Sequence, residues 1–123
     1  MKEKIMIVDD HEDIREVVHV LLTNEGYQII EAKDGKEALE LLDDEIDLII
    51  LDVMMPEMNG YEATKAIRAM NDRPDGKNIP IIAMTANSFA EDVQASLDAG
   101  MNAHLSKPIV MDEVIKTILR YVR

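Results

Sequence analysis

The sequence predicts an α/β fold of five βα units, with one five-stranded parallel sheet and helices on both of its faces. Short apolar runs recur along the chain, and a segment with apolar residues at helical spacing follows each of them. The runs are mostly unbroken rather than alternating, which is typical of strands buried on both faces. Strands that alternate with helices favour a parallel sheet. We expect residues 1–123 to form a single domain, since this length suits one core.

The first two units differ in the apolar content of their strands. Residues 5–8 are all apolar and end at Asp9-Asp10, and Glu12–Asn24 carries apolar residues at helical spacing up to a stop at Gly26. Residues 27–32 are more mixed, which indicates an edge strand. The second helix follows the Asp34-Gly35 turn, and its apolar residues are Ala38, Leu39, Leu41 and Leu42.

The third unit also opens with an unbroken apolar strand. Residues 48–51 are all apolar and lead into Asp52, and Pro56 and Asn59-Gly60 then mark a loop. We expect a helix over about residues 60–70. Asp52 therefore stands where a buried strand opens into a loop, at the edge of the sheet where open α/β folds bind ligands.

The fourth and fifth units also deliver polar residues at their strand ends. The strand at residues 80–84 ends in Thr85, after a polar loop over residues 71–78, and Ser88 is a candidate cap for a helix that ends before Gly100. The short last strand, residues 103–106, ends at Lys107-Pro108. A final helix over about residues 111–122 has acids in its first turn and Arg120 in its last, as the helix dipole favours.

The apolar content of the strands also predicts their order. The first, third and fourth strands are purely apolar and belong in the centre, while the mixed second and the short fifth suit the edges. The order 2-1-3-4-5, that of flavodoxin-like folds, satisfies this requirement. The chain then reverses between strands 1 and 3, so Asp9, Asp10 and Asp52 meet at one crevice.

Composition excludes several classes of partner. The chain has 25 acidic against 13 basic residues and a formal net charge of -12. This balance argues against nucleic acid and against contact with an anionic membrane, because both need clustered cations. Cysteine is absent, so disulfides and thiolate metal sites are excluded. No apolar stretch approaches the roughly 20 residues of a membrane span, and no signal-peptide pattern opens the chain. We expect a cytoplasmic domain.

The strand ends define the chemistry that the sequence predicts. Asp9, Asp10, Asp52, Thr85 and Lys107 reach the same edge of the sheet. Two carboxylates about 4 Å apart repel by roughly 4 kcal/mol at an effective dielectric of 20, so three of them need a compensating cation. Oxygen ligands favour Mg²⁺, with Mn²⁺ as a substitute, and Lys107 adds a fixed positive charge. Asp52 is then a candidate nucleophile that forms an acyl phosphate, with Thr85 as a hydrogen-bond donor to the phosphoryl group.

These motifs together resemble the signature of the response-regulator receiver domain. They are Asp9-Asp10, Asp52 followed by Met55-Pro56 and Asn59-Gly60, Thr85-Ala86, and Lys107-Pro108. The resemblance covers essentially the whole chain. It implies that Asp52 accepts a phosphoryl group from a phosphohistidine on a sensor histidine kinase or a histidine phosphotransfer protein.

The resemblance also implies a role for each site residue. Asp10 and Asp52 would bind Mg²⁺ directly together with the main-chain carbonyl of Met54, and Asp9 would act mainly through water. The phosphoryl oxygens would be held by Thr85, the Ala86 N–H and Lys107. The domain would be a signalling phosphoacceptor that catalyses only its own phosphoryl transfer and dephosphorylation.

Phosphorylation is expected to act as a conformational switch. In the family, the readout surface combines the fourth helix, the fifth strand and the fifth helix, here residues 88–99, 103–106 and 111–122, and its output partner is not identified by the sequence. The chain departs from the family at His104, where Tyr or Phe is usual as a rotamer switch. His104 is either a working switch or an ordinary edge-strand histidine. Similarly, Ile14 is either a docking contact for the phosphodonor or a core residue.

Rival functions lack the residues that they need. A haloacid-dehalogenase phosphatase needs a second acid where this chain has Met54. A flavodoxin needs aromatic residues and a phosphate loop, but the chain has no Trp and one Phe. A P-loop motif is missing. His11 and His19 lack the spacing of a zinc site and are expected to be solvent-exposed. The remaining alternative is a pseudo-receiver, which binds partners without being phosphorylated.

Overall fold

Five strands alternate with five helices along the part of the chain that the structure describes. The structure is a computed structural model that describes residues 3–43, 45–53, 58–70, 79–85, 90–106 and 110–121. The elements are, in chain order, β1 (Lys4–Val8), α1 (Glu12–Asn24), β2 (Gln28–Ala32), α2 (Gly35–Leu41), β3 (Leu48–Asp52), α3 (Gly60–Arg68), β4 (Ile81–Thr85), α4 (Ala90–Ala99), β5 (Ala103–Ser106) and α5 (Met111–Tyr121).

The sheet has the predicted order, β2-β1-β3-β4-β5, and each neighbouring pair of strands is parallel. The flavodoxin-like α/β fold expected from the sequence is thereby confirmed. In the register of the sheet, Val8 pairs with Leu51 and Asp52 pairs with Met84. Because all five strands run the same way, the residues after β1, β3 and β4 emerge at one edge.

Burial along the strands explains this order. Every residue of β3 and β4 is buried, and so is all of β1 after its first residue, whereas β2 is mostly half-buried. Alternate residues face opposite layers: Ile49 and Leu51 pack under α2 and α3, and Leu48 and Ile50 pack under α1 and α5. Fully burying one such side chain stabilises the fold by about 1.5–3 kcal/mol. The purely apolar strands are therefore most stable in the centre of the sheet.

Helices α1 and α4 end at the predicted glycines, whereas α2 ends one residue earlier than expected. Gly26 and Gly100, which follow α1 and α4, have φ angles of +97° and +106°, a conformation that glycine adopts without strain. Leu42, which we expected in α2, instead has extended backbone angles of -64° and 126° and is buried in the core. The predicted loop over residues 71–78 and the candidate cap Ser88 lie outside the described residues.

Within the described residues, the helices of this fold are all too short or too polar to form a membrane span.

Candidate functional site

Asp52 is the last residue of β3 and is 1% exposed. The backbone after it is fixed on both sides, since the Val53 N–H donates to the Met84 carbonyl at 3.0 Å and the Gly60 N–H donates to the Val53 carbonyl at 3.0 Å. The carboxylate is therefore carried on rigid backbone at the carboxyl edge of the sheet, in the position that the apolar run predicts.

The start of α3 packs directly on the backbone of Asp52. A Cβ atom added at Gly60 would lie 2.6 Å from the Asp52 carbonyl oxygen and 2.9 Å from the Val53 Cα. These distances are too short for any side chain. Glycine is needed here because the start of α3 approaches the backbone of β3 closely, and not because of its own backbone angles.

The turn between β1 and α1 carries the other acids. Asp9 is fully buried, and its N–H donates to the Ala32 carbonyl at 3.2 Å. Its Oδ1 accepts the His11 N–H at 2.8 Å, a local hydrogen bond that holds the turn. Asp10 lies between them and is exposed.

A guanidinium group braces this turn from α1. Arg15 Nη1 donates to the Asp9 main-chain oxygen at 2.7 Å, and Arg15 Nε donates to Glu31 Oε1 at 3.2 Å. The other carboxylate oxygen of Glu31 lies 2.7 Å from His19 Nδ1. This group of residues was not predicted from the sequence, because a contact between a helix and a neighbouring strand leaves no local pattern.

Three carboxylates and one imidazole meet at the end of β1 and β3. Among the described residues, Asp9, Asp10, His11 and Asp52 offer ligand atoms that all lie within 4.8 Å of one another. Carboxylate oxygens repel at such distances, and a divalent cation compensates them, so the donor set fits a metal ion. The structure thus brings together the three acids predicted to form the metal site.

The remaining predicted site residues are only partly described. Thr85 is 6% exposed and ends β4, next to Met84, which pairs with Asp52 in the sheet. This register places the threonine at the same edge as the acids. Met54, Ala86 and Lys107 lie outside the described residues.

The surroundings of the histidines differ from the expectation that His11 and His19 are simply solvent-exposed. The His11 side chain is 62% exposed, as predicted, yet its Nδ1 lies 3.1 Å from both Asp9 Oδ1 and Asp10 Oδ1. The prediction that His19 is solvent-exposed is wrong, because its side chain is only 39% exposed and contacts Glu31. His104 is half-buried on β5 and lines an open groove of about 300 Å³ between α4 and α5, together with Leu97 and Tyr121.

Ile14 lies near the acids, on the first turn of α1. Its side chain is half-buried and packs against the core cluster that contains Val18 and Leu22. The structure therefore shows a core contact for Ile14, and its role in docking stays a prediction.

The chain matches the family model of the response regulator receiver domain over residues 5–119. It belongs to this family. Among its relatives, it is 37% identical over 123 residues to the uncharacterized transcriptional regulatory protein YrkP of Bacillus subtilis, covering all of this chain and 51% of that protein. It is also 40% identical over 118 residues to the sensor histidine kinase RcsC of Escherichia coli, covering 95% of this chain and 12% of RcsC. The receiver domain thus spans about half of one relative and a small part of the other.

Solved structures agree with this assignment. Vibrio cholerae chemotaxis protein CheY4 has a TM-score of 0.90 at 34% identity, covering 99% of this chain and 100% of CheY4. The receiver domain of the sensor histidine kinase PA1611 from Pseudomonas aeruginosa has a TM-score of 0.87 at 33% identity, covering 98% of each chain. The PA1611 structure has a magnesium ion coordinated in the active site cleft.

Proposed function

We propose that this receiver domain accepts a phosphoryl group on Asp52 in a reaction that requires a divalent metal ion. The observation that carries the proposal is the position of Asp52. Its carboxylate is buried at the end of β3, and its ligand atom lies within 4.8 Å of those of Asp9 and Asp10. The charge of a buried aspartate beside two further acids is stabilised by a nearby cation.

The metal in this proposal is Mg²⁺, with Mn²⁺ as a substitute. Asp10 and Asp52 would bind it directly together with the Met54 carbonyl. Asp9 would act mainly through water, in keeping with its Oδ1 already accepting the His11 N–H. When bound, the metal supplies positive charge that offsets the negative charge of the transferred phosphoryl group.

The donor in this proposal is a phosphohistidine on a sensor histidine kinase or a histidine phosphotransfer protein. A carboxylate oxygen of Asp52 attacks phosphorus, a P–O bond forms, the P–N bond breaks and the imidazole nitrogen keeps the electron pair. The Thr85 hydroxyl, the Ala86 N–H and Lys107 would bind the phosphoryl oxygens. The rigid backbone around Asp52 holds the nucleophile in place, so little reorganisation is needed during transfer.

The product would be the phosphorylated domain itself, which acts as a signalling state, and no compound would be made for release. Residues 1–123 would act as one cytoplasmic domain that catalyses only its own phosphorylation and dephosphorylation. Phosphorylation would shift a conformational equilibrium read by an output partner on the face of α4, β5 and α5. The groove beside His104 lies on this face.

Mass spectrometry after incubation with acetyl phosphate tests the proposal. The protein should gain one phosphoryl group in the presence of Mg²⁺ and none when the metal is chelated, and Asp52→Asn should gain none in either case. Asp98→Asn, which removes an exposed acid on α4, is the matched control and should be labelled like the native chain. Equal labelling of Asp52→Asn would place the acceptor elsewhere. Complete absence of labelling would instead favour a pseudo-receiver.

A further inference from the structure

His11 places an imidazole nitrogen beside the carboxylates of Asp9 and Asp10. Its Nδ1 lies 3.1 Å from Asp9 Oδ1 and 3.1 Å from Asp10 Oδ1. The imidazole of His11 also offers one of the ligand atoms that, with those of Asp9, Asp10 and Asp52, lie within 4.8 Å of one another. Neighbouring ligands around an octahedral ion with bonds of about 2.1 Å are about 3.0 Å apart, so the imidazole nitrogen and Asp10 Oδ1 have the spacing of two adjacent ligands.

The backbone holds the imidazole at the mouth of the site. His11 is the N-cap residue of α1, with extended backbone angles of -93° and 110°, and its side chain makes no capping hydrogen bond. Its N–H is bound to Asp9 Oδ1 at 2.8 Å, which orients the residue toward the acids. The ring is 62% exposed and therefore reachable from solvent, and its Nδ1 would exchange the contact with Asp9 Oδ1 for a metal ion.

We propose that His11 is a ligand of the divalent metal and that it shifts the selectivity of this site from Mg²⁺ toward transition metals such as Co²⁺ and Ni²⁺. Carboxylates and water suit Mg²⁺, whereas imidazole suits transition metals, for which affinity rises from Mn²⁺ through Co²⁺ to Ni²⁺. This inference rests on the metal site of the proposed function. The magnesium ion in the cleft of the PA1611 receiver domain independently supports that site.

Calorimetric titration of the untagged protein with Co²⁺ and with Mg²⁺ tests the ligand role. The native chain should bind Co²⁺ more tightly than Mg²⁺. In His11→Gln the Co²⁺ affinity should fall by at least about tenfold while the Mg²⁺ affinity changes less than about threefold, since even groups that only orient a metal ligand account for 10- to 100-fold. His19→Gln is the matched control, because His19 lies on the same helix but contacts Glu31. It should bind both ions like the native chain.

Proton NMR of the Co²⁺ complex provides a readout that is independent of activity. A coordinated imidazole should give strongly shifted ring resonances, including an exchangeable N–H, that His11→Gln lacks and His19→Gln retains. A parallel loss of Co²⁺ and Mg²⁺ affinity in His11→Gln would show that His11 only orients the acids and would overturn the proposal. Unchanged Co²⁺ affinity in His11→Gln, or an equal loss in His19→Gln, would also overturn it. If the native chain binds neither ion, the metal site of the proposed function fails as well.

Discussion

Gly60 shows how a single position constrains the proposed acceptor. Gly60→Ala would place a methyl carbon 2.6 Å from the Asp52 carbonyl oxygen, and backbone cannot move aside as a flexible side chain can. We expect the free energy of unfolding, measured in urea, to fall by about 1–3 kcal/mol, as overpacking does. Labelling by acetyl phosphate should also slow, because the shift is transmitted to the acceptor strand.

Gly35 offers a matched control, since it is also a buried glycine at the first residue of a helix. There, an added Cβ would meet the Met58 Cγ and Sδ at 3.0 Å and the Ala63 Cβ at 3.2 Å. Methionine is flexible and can repack. Gly35→Ala should therefore cost less stability than Gly60→Ala and should leave the labelling rate unchanged. Equal effects at both positions would show that the contact with Asp52 is unimportant.

At the scale of elements, Arg15 joins α1, the β1–α1 turn and β2. Arg15→Lys keeps the positive charge but cannot reach both the Asp9 carbonyl and Glu31, which the guanidinium binds with separate nitrogens. We expect a loss of about 1–3 kcal/mol in the free energy of unfolding, as for hydrogen bonds to charged groups. Mg²⁺ binding, measured by calorimetry, should weaken because the turn that carries the acids loosens.

Arg120 provides the control for this substitution. It is an exposed arginine in the last turn of α5. Arg120→Lys should leave both stability and Mg²⁺ affinity unchanged. If Arg15→Lys behaves in the same way, then Arg15 does not brace the turn.

The capping box of α3 is a second feature at the scale of elements. Asn59 Oδ1 accepts the Glu62 N–H at 2.9 Å, and Glu62 Oε1 accepts the Asn59 N–H at 3.1 Å. Asn59→Ala should lower the free energy of unfolding by about 1 kcal/mol in urea denaturation, whereas Asn59→Asp should retain most of it because aspartate also caps well. A loss as large in Asn59→Asp would mean that the cap contributes little.

Across the fold, the strands and their order could be predicted from the sequence more fully than the contacts between side chains. Apolar runs and glycine stops act locally, so the buried strand ending at Asp52 and the helix stop at Gly100 could both be predicted. Ion pairs such as Arg15 with Glu31 depend on how a helix packs across a sheet, and they leave no local pattern. The sequence places His11 directly after Asp9 and Asp10, but the contacts of its ring with both acids arise from the geometry of one turn.

Arg68 connects elements at the amino ends of the strands, whereas Asp52 lies at the carboxyl end of its strand. Its guanidinium donates to the Ile79 carbonyl at 2.7 Å, to the Gly100 carbonyl at 2.8 and 3.0 Å, and to Asn102 Oδ1 at 2.9 Å. The Asn102 amide oxygen in turn accepts the Ile81 N–H at 2.9 Å. Burial lowers the pKa of the Arg68 guanidinium below its ordinary value. Arginine nevertheless stays charged in proteins, so this cation links α3 to the starts of β4 and β5 at any ordinary pH.

Arg68→Met should therefore destabilise the whole domain without altering the site. Methionine keeps much of the apolar stem but leaves two carbonyls and an amide oxygen without this donor, so we expect the free energy of unfolding to fall by about 2–4 kcal/mol. Lys65→Met removes an exposed cation from the same helix and should cost less than about 0.5 kcal/mol. At a temperature where Arg68→Met is still folded, its labelling by acetyl phosphate should match that of the native chain. A labelling defect in the folded variant would show that the two edges of the sheet are coupled, contrary to this prediction.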